Sequence, residues 1–297
     1  MTSTASGSSV KRMLVATDFS RRAEIALRRA AQIVHEQGTT LSLLHVTDAD
    51  MGDDTDTRSL TSGTEEKLRQ QIDKYLPNQA AGSVRVATGK PFVEIIRGAR
   101  DEEAELVVLG AHGEHFLKDL LLGTTAEKVV RKGDRPVLVV KRAAHGSYRR
   151  VVVGVDFSED SRHAFELALR LAPQAEFHAV HVYPGYASQL KRAGVPAAEV
   201  TRRLRPLVEE ARENMEAFLR SIDYGGRAIR QILWDGRAHQ EITNLAKRLR
   251  AELVAVGTTG RTGLPYVLLG SVAEHVLREA SCDTLVARAK AGHFELP

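Results

Sequence analysis

The chain has 297 residues, 43% of them hydrophobic and 27% charged, which is ordinary for a folded globular protein and long enough for two domains of about 150 residues each. No apolar run approaches the roughly 20 residues that span a bilayer, and the N-terminus, MTSTASGSSVKR, lacks the hydrophobic core of a signal peptide, so a cytoplasmic protein without membrane contact is expected. The formal charge of +4 comes from interspersed acids and bases without aromatic and basic interleaving, which argues against a nucleic-acid footprint, and the single cysteine, Cys282, excludes an internal disulfide and a cysteine-rich metal site.

Residues 1–10 are rich in Ser, Thr and Gly and read as a disordered N-terminus. Arg12 to Ala16 (RMLVA) reads as a buried strand, followed by Thr17-Asp18-Phe19-Ser20 and a helix with apolar residues at helical spacing from Arg21 to His35. Thr40 to Val46 is a second strand. Asp48 to Gly63 is polar and aperiodic and reads as a loop before a helix from Glu65 to Leu76. A strand at Val84 to Thr88, a turn at Gly89-Lys90-Pro91, a helix at Phe92 to Glu103 and a strand at Leu106 to Leu109 follow. A glycine-rich stretch then leads to a helix at Thr125 to Lys132 and a strand at Val137 to Lys141. Such alternation predicts an α/β fold with a five-stranded parallel sheet covered on both faces.

From Arg150 the pattern starts again. Asp156 answers Asp18 at an offset of 138 residues, His181 answers His45 at 136, and Gly236 answers Gly89 at 147. The shift from 136 to 147 places a net insertion of eleven residues between the second and third strands, where Ala197 to Ser221 reads as a long amphipathic helix. Two domains, 11–142 and 149–290, are expected, joined by a linker too short to let them move as free beads.

The stretch with most chemical content is Gly110 to Thr124, GAHGEHFLKDLLLGT, which recurs 147 positions later as Gly257 to Ser271, GTTGRTGLPYVLLGS. Both copies read G-x2-G-x9-G-S/T between a strand and a helix. Glycines let backbone amides approach an anion, and a helix starting at Gly-Ser or Gly-Thr offers unpaired N–H groups, a hydroxyl and a positive dipole end. No Lys follows the last glycine, so this is not a Walker P-loop. The competing reading is that these glycines only turn the chain and cap a helix.

Ligands of open parallel sheets bind beyond the carboxyl ends of the strands. The candidate nucleotide-binding residues there are Thr17, Asp18, Val46, Gly110, His112, Gly113, Gly123, Thr124 and Thr125 in the first half. In the second half they are Val155, Asp156, Val182, Gly257, Gly260, Gly270, Ser271 and Val272. Each Asp reads equally as a ligand group or as the N-cap of the next helix, while His45 and His181 read as core packing. No catalytic residue and no protein-only metal site is read.

With these residues in view, the chain resembles a tandem member of the universal stress protein family. The resemblance rests on VATDFS and VGVDFS, LLHV and AVHV, the two glycine signatures, and the segments AEKVVRKGDRPVLVV and AEHVLREASCDTLVA that follow them. It implies flavodoxin-like domains of the adenine nucleotide hydrolase-like kind. It also implies association through the last strand, as a pseudo-dimer within the chain or a homodimer between chains. ATP-binding members carry the glycine signature and non-binding members lose it, so the resemblance implies ATP, alone or with Mg2+, at two sites, with the first favoured because Thr259 and Pro265 depart from it in the second loop. A stress-response sensor or regulator is the leading expectation; a slow ATP hydrolase or phosphotransferase and a nucleotide-free scaffold are the alternatives.

Overall fold

The structure, a computed structural model, describes residues 9–47, 54–77, 83–111, 123–258 and 269–289. It divides into two compact units that meet in sequence between Ser147 and Tyr148.

In the first unit the order is β1 (Arg12–Thr17), α1 (Arg21–Gln37), β2 (Thr40–Thr47), α2 (Asp54–Tyr75), β3 (Val84–Thr88), α3 (Pro91–Asp101), β4 (Leu106–Gly110), α4 (Thr124–Lys132) and β5 (Val137–Val140). The strands are parallel and lie in the order β3-β2-β1-β4-β5. The chain therefore steps outward in one direction from β1, returns to β4 and continues the other way. Helix α1 packs with α2 and α3 with α4, as two pairs flanking the sheet. Central strands carry near-continuous apolar runs because both faces are covered: Met13, Leu14, Val15, Leu106, Val107 and Val108 are all buried.

The second unit repeats this with β6 (Arg150–Gly154), α5 (Glu159–Leu171), β7 (Glu176–Pro184), α6 (Tyr186–Arg192), α7 (Ala197–Arg220), β8 (Ile229–Gly236), α8 (Ala238–Leu249), β9 (Leu253–Gly257), α9 (Ser271–Glu279) and β10 (Asp283–Ala287). Its strand order, β10-β9-β6-β7-β8, is the same topology. Both units thus have the α/β architecture expected from the alternation.

Three local expectations need correction. Helix α2 begins at Asp54, so part of the stretch read as a loop is helical. Its later turns bury Leu68 and Ile72, followed by Leu76, and hydrophobic periodicity reports only the buried part of a helix. The short α6 was not anticipated, for the same reason. Val10, assigned to a disordered terminus, is fully buried, and its carbonyl accepts a hydrogen bond from Thr39 Oγ1 at 2.8 Å. Within the linker, Arg29 Nη1 donates to the Gly146 carbonyl at 2.8 Å, and Tyr148 is buried with its hydroxyl 2.7 Å from Asp283 Oδ2. Cys282 is buried.

Candidate functional site

The turn that leaves the first strand of each unit is built the same way twice. Asp18 Oδ1 accepts from the Ser20 amide at 3.0 Å, and Asp156 Oδ1 accepts from the Ser158 amide at 3.0 Å. Ser20 and Ser158 are the true N-caps, their hydroxyls accepting from Ala23 N and Ser161 N. The capping alternative for the two aspartates is therefore overturned: each sits two residues too early and instead tightens the turn. Between Asp and Ser stands Phe19 or Phe157 in the left-handed region, with φ of 62° and 64°, an uncommon state for a bulky residue.

A histidine of the second strand holds each strained turn. Phe19 lies against His45 at 4.6 Å between ring centroids, and Phe157 against His181 at 4.3 Å. His45 Nδ1 is 2.8 Å from the Thr17 carbonyl, and His181 Nδ1 is 2.8 Å from the Val155 carbonyl. A carbonyl only accepts, so Nδ1 carries the proton in both rings. These histidines are half-buried fasteners of the turn rather than core filling. Thr17 is buried and its Oγ1 accepts from the Phe19 amide at 3.1 Å, which gives this candidate ligand a structural task.

The first glycines of the two signatures have a packing task. A Cβ on Gly110 would stand 2.8 Å from the Arg22 carbonyl oxygen, and one on Gly257 would stand 2.8 Å from Asp160 C and from Ser161 N. Both glycines end a strand where the first turn of α1 or α5 crosses it, so they make room for protein backbone. Farther along, Gly123 N donates to the Ala111 carbonyl and Gly270 N to the Thr258 carbonyl, each at 2.7 Å. These bonds close the neck of each glycine loop and use the amides of Gly123 and Gly270.

Gly123 and Gly270 are the N-caps of α4 and α9, with extended φ/ψ and no side-chain cap. The amides of the first turn, at Thr124, Thr125 and Ala126 or at Ser271, Val272 and Ala273, have no intrahelical partner. They add their dipoles to the positive end of each helix.

In the second unit these pieces meet around a cavity of about 260 Å³. Val155, Asp156, Val182, Gly257, Gly270, Ser271 and Val272 all line it. Every described second-half candidate is therefore in one place. Nine lining positions were not among the sequence candidates: Gly154, Ser161, Val180, Ala238, Ile242, Val256, Thr258, Ala273 and the misread His181. They lie on α5, α8, α9, on strands and just past the end of β9, where only folding reveals their neighbours. Asp156 and His181 are the titratable groups of the described lining, and the remaining wall is largely aliphatic. Deeper in, Thr258 Oγ1 donates to the buried Asp160 Oδ2 at 2.6 Å, and Asp160 Oδ1 accepts from Ala289 N at 2.9 Å, tying the start of α5 to the end of the sheet.

In the first unit, Asp18, Val46, Gly110, Gly123, Thr124 and Thr125 occupy the equivalent elements. His112, Gly113 and Gly260 lie outside the described residues, as do Thr259 and Pro265.

The universal stress protein family model matches residues 9–141 and again residues 147–288. The chain belongs to the universal stress protein family. It carries two tandem copies of the family's domain, within a family of stress-response proteins. The universal stress protein E homolog of Haemophilus influenzae is 28% identical across 93% of this chain and 96% of its own length. Universal stress protein MJ0577 of Methanocaldococcus jannaschii is 31% identical across 95% of its length, matching 44% of this chain, as a single-domain relative would. Among solved structures, a universal stress protein from Archaeoglobus fulgidus superposes with a TM-score of 0.67 at 21% identity, covering 94% of this chain and 98% of that one, a likeness of fold. Among the described residues no helix is long and apolar enough to cross a membrane.

Proposed function

We propose that the second-half cavity binds an adenine nucleotide, with ATP, alone or accompanied by Mg2+, as the ligand, and that the protein is a nucleotide-responsive regulator of a stress response. The observation that carries this reading is the convergence of Val155, Asp156, Val182, Gly257, Gly270, Ser271 and Val272 on one cavity. Its volume, about 260 Å³, is near the lower end of the ~300–1,000 Å³ common for small-molecule sites. That suits a nucleoside, with the phosphates passing out over the start of α9.

The chemistry divides accordingly. Val155, Val180, Val182 and Ile242 offer apolar surface for the base. Asp156 stands where a carboxylate accepts from ribose hydroxyls or meets a phosphate-bound cation. The open amides at 271–273 and the Ser271 hydroxyl receive the anionic tail. Nucleotide binding occurs within the family, one member having been solved in complex with cAMP. The corresponding first-half positions form a second candidate site.

Dialysed protein titrated with a fluorescent ATP analogue is expected to show saturable binding. Ser271→Glu places a carboxylate at the phosphate end while favouring the helix start, so affinity should fall by at least about tenfold with the melting temperature unchanged. Absence of binding at millimolar ATP, or equal affinity in the variant, would overturn the reading.

A further inference from the structure

Beside the cavity, helices α8 and α9 pack against each other and bring together His239, His275 and Glu279. One ligand atom from each lies within 4.8 Å of the others. His239 is half-buried near the start of α8, while His275 and Glu279 are exposed and one turn apart on α9. The two imidazoles face each other at 4.3 Å between centroids, with 27° between their planes.

His275 is oriented for coordination by its own helix. Its Nδ1 lies 2.6 Å from the Ser271 carbonyl, and because a carbonyl only accepts, Nδ1 bears the hydrogen and Nε2 keeps a lone pair directed away from the backbone. A backbone carbonyl behind one ring nitrogen is the usual support of a metal-bound histidine, fixing its tautomer and raising the basicity of the other nitrogen.

We propose that His239, His275 and Glu279 form a binding site for a divalent transition metal of the zinc class, independent of the nucleotide. Two imidazole nitrogens and one carboxylate are a Zn2+ donor set, whereas Mg2+ and Ca2+ take oxygen donors. Tetrahedral bonds of about 2.0–2.1 Å put ligand atoms roughly 3.4 Å apart, and side-chain rotation of His239 and the exposed Glu279 closes the remaining distance. Three protein ligands leave the fourth position to water or another donor.

The duplicated half provides a contrast within the same chain. The residues 147 positions earlier are Phe92, Lys128 and Lys132. There the two ammonium groups lie 5.3 and 5.2 Å from the Phe92 ring centroid. The same helix pair therefore carries a cation-π cluster, two positive charges over an aromatic face, where the second half carries metal ligands. One scaffold position serves opposite electrostatic purposes in the two copies.

The test uses the full-length protein, stripped with a chelator, desalted and free of nucleotide, titrated with Zn2+ alone against a chromophoric competitor. One equivalent should bind with a Kd below about 10 µM, and Co2+ in its place should give visible bands of nitrogen and oxygen ligation. Since loss of an outer-shell partner costs about 10–100-fold, His275→Gln and Glu279→Gln should each weaken Zn2+ binding by about 100-fold or more. The combined variant His239→Phe, His275→Lys and Glu279→Lys copies a trio already accommodated on the equivalent helices, so it keeps the fold and should lose the equivalent. A Kd above about 10 µM for the unaltered protein, or undiminished binding in the combined variant, overturns the proposal. Because no nucleotide is added, neither result bears on the ATP site.

Discussion

Replacing Gly257 by Ala probes the contact that positions the cavity. The added Cβ would stand 2.8 Å from Asp160 C, from Asp160 Cβ and from Ser161 N. Two of those atoms are backbone in the first turn of α5, so no side-chain rotation relieves the overlap and the helix must move by several tenths of an ångström. Overpacking of this kind costs about 1–3 kcal/mol. For a domain of this size each kilocalorie lowers the melting temperature by about 4 °C, which gives a drop of roughly 4–12 °C. The displaced turn carries Ser161, which lines the cavity, and Asp160, which anchors Thr258 and Ala289, so nucleotide affinity should fall as well. Differential scanning calorimetry of Gly257→Ala beside Gly63→Ala is the assay. A Cβ on Gly63, inside α2, meets nothing within 4 Å, and that change should be neutral or stabilising by about 0.5–1 kcal/mol. If the two variants melt together, the glycine at the strand end is not required for packing.

Two further outcomes follow from buried polar groups. Tyr148→Phe removes the hydroxyl that donates to Asp283, a carboxylate only 1% exposed, and should cost about 1.5–3 kcal/mol in urea denaturation; a loss under about 0.5 kcal/mol would contradict the structural role given to this bond. His178, on β7 and 3% exposed, has its pKa pushed down chiefly by burial, partly offset by Glu176. The folded chain therefore binds fewer protons there than the unfolded chain, and stability should fall as pH drops below the unfolded value of about 6.5 toward the folded one, by up to ~1.4 kcal/mol per pH unit. His178→Phe should flatten that slope between pH 7 and 5, with a residue left by His163, whose pKa burial also lowers; an unchanged slope would rule His178 out as a source.

Much of the fold is visible in the sequence because covered parallel strands must be apolar over their length. Leu106 to Leu109 and Leu253 to Val256 announce themselves for that reason, and the matching spacing of the two halves assigns the rest. The long insertion helix was read from its stripe, of which Val200, Ala211, Met215, Phe218 and Leu219 are buried. The short α6 escaped because a helix with no buried residue among those described has no hydrophobic period to show. Site residues were legible where backbone chemistry restricts the residue type, as at Gly270 and Ser271. Purpose was less legible than position. Gly110 and Gly257 are glycine for the sake of a helix that arrives from elsewhere in the chain, and Asp18 and Asp156 yield the cap to a serine two places on. Ile242 and Val180 look like any other core aliphatics until α8 folds over the sheet.

The pinched necks at Ala111–Gly123 and Thr258–Gly270 have an evolutionary corollary. Because strand and helix are latched together at the root of the intervening segment, substitutions or length changes inside it transmit little displacement to either. Each copy can thus vary that segment while inheriting an unaltered chassis, which gives a duplicated chain room to let its two halves diverge.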